Sequence, residues 1–246
     1  MPRFFVGQDA VCDQTVTITG ADAHHIARSL RMAEGDEITV ADGLGKEYLC
    51  RLSKIRDDEC LATVLESGNA KTESPVKITL FMAYPKGDKM ETVVQKAVEL
   101  GACRIIPFES ARCIKRPSED KMDKLIARLN RIAEEAAKQC GRGIIPSVER
   151  ITDVKGVIRE GKELDLLLFC YEGEGTSSLK SVLGSTEAQS SRTLGVIIGS
   201  EGGFSAEEAA LLVSEGAVAV NLGPRILRCE TAPEYALSSI SYHFEL

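Results

Sequence analysis

No stretch of the 246-residue sequence reaches about 18 consecutive apolar residues, so no membrane-spanning helix is expected. Residues 1–9 lack the long apolar segment of a secretory signal, which points to a cytoplasmic protein. The eight cysteines, at positions 12, 50, 60, 103, 113, 140, 170 and 229, form no C-x-x-C pair, and no histidine cluster accompanies them. A zinc site and a disulfide framework therefore have little basis, no metal is expected, and the cysteines read as small buried apolar residues. There is no G-x-x-x-x-G-K-[ST] motif, and no G-x-G-x-x-G follows the first strand of the α/β region, which speaks against a P-loop and a dinucleotide fold. Positive charge is in the minority. With 30 Lys and Arg against 37 Asp and Glu, the net charge is −7, wrong for a general nucleic-acid coat. An enzyme that gathers its basic residues on one face remains compatible with that total.

What is present is ordinary for a globular protein: 43% hydrophobic and 27% charged residues, in a length that suits one large domain or a small one joined to a medium one. Short β-type runs follow one another at residues 3–6, 15–19, 36–41, 47–55 and 60–65, separated by turn-prone groups and one helix at about 21–31. Many short strands with polar turns suggest a small β-barrel. Residues 67–75 have little apolar content and read as a linker. From Pro75 onward strands and helices alternate: strands at 76–84, 104–108, 164–169, 194–199 and 217–222, and helices starting at Asp88, about Glu119, Ser205 and near Thr231. Asp88 with Glu91, and Ser205 with Glu208, have capping-box spacing. The strongly apolar strands match those buried on both faces of a parallel sheet. The expected class is α/β, with a smaller N-terminal β-barrel.

Ligands of open α/β sheets bind beyond the carboxyl ends of the strands. Three of those ends run into glycine-bearing sequence here, at residues 170–176, 199–205 and 222–232. Any one of these loops reads equally well as a helix cap and turn. Together they suit a nucleotide-like ligand held by main-chain groups, because glycine lets backbone approach closely.

At these residues the sequence resembles the 16S rRNA uracil-N3 methyltransferase family of the SPOUT class. The resemblance rests on Gly199-Ser200-Glu201-Gly202-Gly203-Phe204-Ser205 and on Leu222-Gly223-Pro224-Arg225-Ile226-Leu227-Arg228-Cys229-Glu230-Thr231-Ala232. Pro85-Lys86-Gly87-Asp88-Lys89-Met90-Glu91, Gln95 to Gly101, Glu135 to Arg142, Pro2-Arg3-Phe4-Phe5 and His24 to Met32 agree in order and place. Ser200 stands where the family usually has Pro, Tyr84 where an aliphatic residue is common, and no Trp lies in the helix around Leu129.

The resemblance implies a PUA-like RNA-binding barrel over residues 1–72 and, over 73–246, a SPOUT methyltransferase domain with a deep trefoil knot. It also implies a homodimer, S-adenosylmethionine as cofactor, and 16S rRNA, within the small ribosomal subunit, as substrate. The cofactor would be held by Phe169, Tyr171 and Glu172 after one strand and by Gly199, Ser200, Glu201, Gly202 and Gly203 after the next. Leu222, Gly223, Ile226, Leu227 and Arg228 would complete the set, with Leu222, Ile226 and Leu227 forming an apolar slot for adenine. Uracil N3 is a poor nucleophile until its imide proton leaves. The implied catalytic groups are therefore Arg228, stabilising the anion, and Glu201 or Glu230 as base. Glu230 also reads as a plain cap of the last helix.

RNA contact is expected from Arg3, Arg28, Arg31, Arg112, Lys115 and Arg116, each of which reads as well as a solvated surface residue. Lys86 and Lys89 fit either a phosphate contact or solvated helix-start positions, and His24 and His25 fit packing or RNA-facing roles. Ribose 2′-O-methylation on the same fold and a non-catalytic RNA-binding module are the rival functions, and a nicotinamide oxidoreductase is a weaker third.

Overall fold

The protein is described from a computed structural model covering residues 1–114 and 116–246. Two compact units emerge: Met1–Glu73 with Ala137–Ile145, and Ser74–Ala136 with Pro146–Leu246. The first is thus built from two stretches of chain. Arg142, only 5% exposed, is clamped on Glu73 at 2.6 Å, and the other Glu73 oxygen accepts the Gly143 and Ile144 N–H groups at 2.9 and 3.1 Å. Those buried charge-assisted bonds hold the returning segment against the chain end it follows.

The first unit contains β1 (Arg3–Phe5), β2 (Val11–Cys12), β3 (Thr15–Thr19), β4 (Glu37–Ala41), β5 (Lys46–Ile55) and β6 (Glu59–Asn69), in the order β1-β4-β5-β6-β3-β2. β1 pairs parallel with β4 and the other pairings are antiparallel, giving a mixed half-barrel. Register shifts in β5 at Leu49/Cys50 and Leu52/Lys54 mark bulges of the kind that bend a sheet around its core. Phe4, Val16, Ile18, Ile38, Val40 and Leu52 fill that core.

Residues 67–69, expected in a linker, instead extend β6: Tyr48, Glu47 and Lys46 pair with Ser67, Gly68 and Asn69. Backbone pairing needs no apolar side chain, so composition could not show it. The expected helix at 21–31 is α1 (Gly20–His24) running into a π turn at His25–Ser29, after which Arg31 takes φ +51°. His25 meets Phe4 edge-on at 6.4 Å, and both His24 and His25 are exposed.

The second unit holds β7 (Lys77–Ala83), α2 (Lys89–Glu99), β8 (Ala102–Glu109), α3 (Glu119–Cys140, whose last turn belongs to the first unit), β9 (Ser147–Val148), β10 (Thr152–Asp153) and α4 (Val154–Gly161). β11 (Leu166–Cys170), β12 (Ser177–Ser178), α5 (Leu179–Leu183), α6 (Thr186–Ser190), β13 (Thr193–Ile198), α7 (Ala206–Ser214), β14 (Val218–Asn221) and α8 (Thr231–Glu245) complete it. The strand order is β10-β8-β7-β13-β11-β14-β12, with β9 beside β8, and the pairs are parallel throughout. Consistent with a sheet covered on both faces, every residue of β7 after Lys77 is buried.

α2 buries Met90, Val93, Val94, Ala97 and Val98, the face its 3.6-residue spacing predicts. The Ser205–Glu208 capping box is formed in both directions. The Asp88–Glu91 box is not: Asp88 makes no side-chain cap, and Glu91 pairs with Arg128 at 2.8 Å instead. An oppositely charged neighbour on α3 outcompetes the local backbone for that carboxylate. Cys50, Cys60, Cys113 and Cys229 are buried as expected, but Cys103, Cys140 and Cys170 are only partly buried and Cys12 is exposed on a two-residue edge strand.

Candidate active site

Since β13, β11 and β14 lie side by side and parallel, their carboxyl ends open on one edge of the sheet. The glycine-bearing loops that follow them are joined by specific contacts. Phe169 at the end of β11 stacks on Tyr171 (5.1 Å between centroids) and meets Phe204 edge-on (4.8 Å), linking the first loop to the second. Tyr171 N–H donates to Val220 O at 2.9 Å, and the Asn221 amide donates to Thr176 Oγ1 and Ser177 O at 3.2 and 3.1 Å, tying the first loop to the end of β14, where the third loop begins.

Lys89, in the first turn of α2, joins the second loop to the third. Its Nζ lies 3.0 Å from Glu201 Oε1, 3.0 Å from Glu230 Oε2 and 3.7 Å from Cys229 Sγ. Lys86 N–H donates to both Glu201 oxygens at 3.4 Å. A fourth loop, after β7, is therefore part of the site, because β7 is the neighbour of β13 in the sheet. Helix-start spacing gives no sign of pairing with residues more than a hundred positions away, so neither reading of Lys89 as solvated or phosphate-facing anticipates it.

The electrostatics follow from these contacts. Glu201 and then Glu230 hold the Lys89 ammonium above its ordinary pKa. The Cys229 thiol, the Glu230 backbone and Lys89 together pull Glu230 down to about 2. Partial burial pushes Glu201 upward, but its own N–H, Lys89 and the Lys86 N–H outweigh that and leave it below the ordinary value. Burial, then the hydrogen bond to Glu230, pushes Cys229 up to about 12, so this thiol acts as a donor to Glu230 at 3.2 Å. Glu230 stands at the N-cap of α8 but makes no side-chain cap, which corrects its reading as a plain helix cap.

The glycines divide into two kinds. A Cβ on Gly199 would lie 2.8 Å from the Phe204 ring, and one on Gly202 would lie 2.9 Å from Arg112 Cβ, so protein already occupies the open sides of both. Gly199 and Gly202 thus serve loop packing rather than leaving room for a ligand. Gly203, at φ +63°, could carry a side chain only with backbone strain, and its open side faces Glu172 Oε1 at 3.8 Å. Ser200 is buried, and its hydroxyl has no hydrogen-bond partner among the described residues, although its carbonyl accepts Gly203 N–H at 2.9 Å.

Leu222 and Leu227 are half-buried, but Ile226 stands 83% exposed, so an adenine slot is not closed at Ile226 within this chain. A cavity of about 730 Å³ lies between α5, the start of the third loop and α8, and takes Leu222 and Gly223 from the expected cofactor set. Arg228 is exposed, with no ion pair or side-chain hydrogen bond among the described residues.

The residues fit S-adenosylmethionine in two respects. A buried hydroxyl at Ser200, without a partner among the described residues, offers a directed polar contact, and Glu172, Glu174, Glu201 and Glu230 outnumber Arg225, Arg228 and Lys89, leaving the loops slightly net negative for a cationic sulfonium. Ser200→Ala is expected to leave stability of the ligand-free protein within about 0.5 kcal/mol, because no hydrogen bond is lost, while weakening cofactor binding about fivefold. Thermal melts and calorimetric titration check the two halves.

The basic residues expected at RNA separate. Arg3 is largely buried and donates to Glu47 at 3.0 Å and to Arg142 O at 3.3 Å, so its charge is used inside the first unit. Arg28 pairs with Asp57 on the surface, and Arg31 is exposed. In the second unit Arg112 donates to Gly202 O at 3.1 Å, beside the second glycine loop, and exposed Arg116 approaches Glu109 at 3.7 Å. Lys115 lies outside the described residues.

Known proteins resemble the chain along most of its length. An RNA methyltransferase domain family matches residues 72–241 and an RNA methyltransferase PUA domain family matches residues 18–65. Ribosomal RNA small subunit methyltransferase E of Bacillus subtilis is 38% identical, over 100% of this chain and 98% of that protein. Its counterpart from Synechocystis is 33% identical over 97% and 77% of the two chains. The crystal structure of ribosomal RNA small subunit methyltransferase E from Neisseria gonorrhoeae bound to S-adenosyl methionine superposes with a TM-score of 0.85, at 31% identity and covering 98% and 97%. Matched over nearly its whole length by such relatives and by both family models, this chain belongs to the ribosomal RNA small subunit methyltransferase E family, with a PUA domain and a SPOUT fold.

Proposed function

We propose that this protein uses S-adenosylmethionine to methylate N3 of a uridine in the 16S rRNA of the small ribosomal subunit. The observation that carries the reading is the meeting of the loops after β11, β13 and β14 on one sheet edge, in a chain whose Neisseria gonorrhoeae relative is solved with the methyl donor. Bound S-adenosylmethionine supplies an electrophilic methyl on a cationic sulfonium. Tyr171, Glu172, Ser200, Gly203, Leu222, Gly223 and Leu227 would hold it, with Phe169 behind them.

The chain's own residues must lower the cost of removing the imide proton. Arg228 is assigned to the uracil oxygen where negative charge grows, its guanidinium having no partner among the described residues. Glu230, pulled down to about 2, is a weak base at neutral pH, so the N3 proton is assigned to Glu201. Arg112, beside Gly202, with Arg116 and Lys115 near it in sequence, and Arg28 and Arg31 on the first unit are assigned to phosphates.

Homodimerisation is part of the same proposal, supported by the exposed apolar side chains of Ile226, Tyr235 and Tyr242 around α8. The family also implies a trefoil knot in the second unit. No helix among the described residues is long and apolar enough to cross a membrane, in keeping with a cytoplasmic site of action.

The test is incubation of small subunits from a strain lacking the activity with a labelled methyl donor, followed by nucleoside digestion and mass spectrometry. Label in N3-methyluridine of 16S rRNA is expected. Label on a ribose 2′-oxygen, or none, overturns the proposal.

A further inference from the structure

The Lys89 cluster has a consequence for how the loops are held. Two carboxylates from loops 29 residues apart in sequence converge on one ammonium nitrogen, each at 3.0 Å, which places the two oxygens within about 6 Å of one another. Without an intervening cation, like charges at that separation repel, and each carboxylate is driven toward solvent or protonation. No other ion pair is found for Glu201 or Glu230 among the described residues. The neighbouring charged groups of α2 and α8 are engaged elsewhere, with Lys96 paired to Glu99 at 2.8 Å and near Glu234.

We propose that Lys89 is a positioning residue for methyl transfer: by bridging Glu201 and Glu230 it locks the loops after β13 and β14 in the arrangement that receives the cofactor. The inference rests on the function proposed above and adds a residue from outside its three loops. Lys89 is 27% exposed and anchored in the first turn of α2, whose apolar face is packed into the core, so the bridging nitrogen hangs from a rigid element. The second loop is gripped at two points of the same turn, the Lys86 N–H and the Lys89 ammonium, so its carboxylate is fixed in direction as well as place. Cys229 closes the cluster by donating to Glu230.

The experiment compares wild type, Lys89→Met and Lys89→Arg by calorimetric titration with S-adenosylmethionine at neutral pH. Carbon NMR of the Glu201 and Glu230 carboxyl groups in the ligand-free proteins is followed against pH. Lys89→Met is expected to bind about tenfold more weakly, the scale of one lost charge-assisted contact, whereas Lys89→Arg stays within about threefold of wild type. In Lys89→Met both carboxyl titrations move upward; a residue that merely filled space would leave them in place. Should Lys89→Met fail to fold, Lys89→Gln is read in the same way. Wild-type binding that persists unchanged in the neutral variant, with unmoved carboxyl titrations, overturns this inference alone. A wild type that does not bind the cofactor overturns the proposed function and the inference with it.

Discussion

Replacing Arg228 by alanine is expected to lower the turnover of methyl transfer by about 10²–10³-fold, the cost of removing one donor aimed at developing negative charge. The side chain is exposed and makes no ion pair among the described residues, so the substitution should leave the fold within about 0.5 kcal/mol of wild type. Its backbone carbonyl, which accepts Thr231 and Ala232 N–H groups at 2.9 Å to open α8, is unaffected by the change. Single-turnover kinetics on small subunits make the measurement. If Arg228 acts in the transition state, kcat falls while cofactor affinity is retained; if it only grips phosphate, KM rises and kcat holds. Unchanged turnover would remove Arg228 from catalysis.

Phe169→Ala should cause the largest loss of stability. The ring is fully buried where β11 passes into its loop, and it touches both Tyr171 and Phe204. Phe108 continues the aromatic stack, 6.2 Å from Phe204. Truncating a buried phenylalanine costs about 3–5 kcal/mol, part transfer and part residual cavity. In urea the midpoint should drop with little change in slope, since the surface exposed on unfolding is nearly the same. Because Phe169 underlies two of the converging loops, cofactor affinity should fall with it. A variant as stable as wild type would mean that the loops find their arrangement without this aromatic anchor.

How much of this could be read from the sequence depended on how local each signal was. β7 and β13 are legible because strands buried on both faces are almost wholly apolar, and α7 because Ser205 and Glu208 satisfy one another three residues apart. The bounds of α3 follow from its charged start and its terminal Gly141. The two-residue strands β9, β10 and β12 have no periodicity to detect, and the end of β6 is polar.

At the site, residue types pointed to loops that the sheet gathers on one edge, while several single side chains are used otherwise than expected. Glycine at 199 and 202 suggested room for a ligand, where the space is taken by Phe204 and Arg112. Glu230 suggested a cap and is instead an ion-pair partner, and Arg3 suggested RNA while its charge is used by Glu47. Lys89 was least legible of all, since its partners lie in the loops after β13 and β14, which only the sheet order brings to the same edge as the loop after β7. Pairings at that sequence distance are a property of topology, and topology is not written in any window of residues.

The decisive measurement is equilibrium titration of the purified protein with S-adenosylmethionine, following heat or intrinsic tyrosine fluorescence. A saturable site with one cofactor per chain, weakened by a side chain at Gly203 and insensitive to Arg228→Ala, is the predicted result. Absence of saturable binding into the millimolar range, an affinity weaker than about −4 kcal/mol, would contradict the account, because the sheet edge would then have no ligand to explain it.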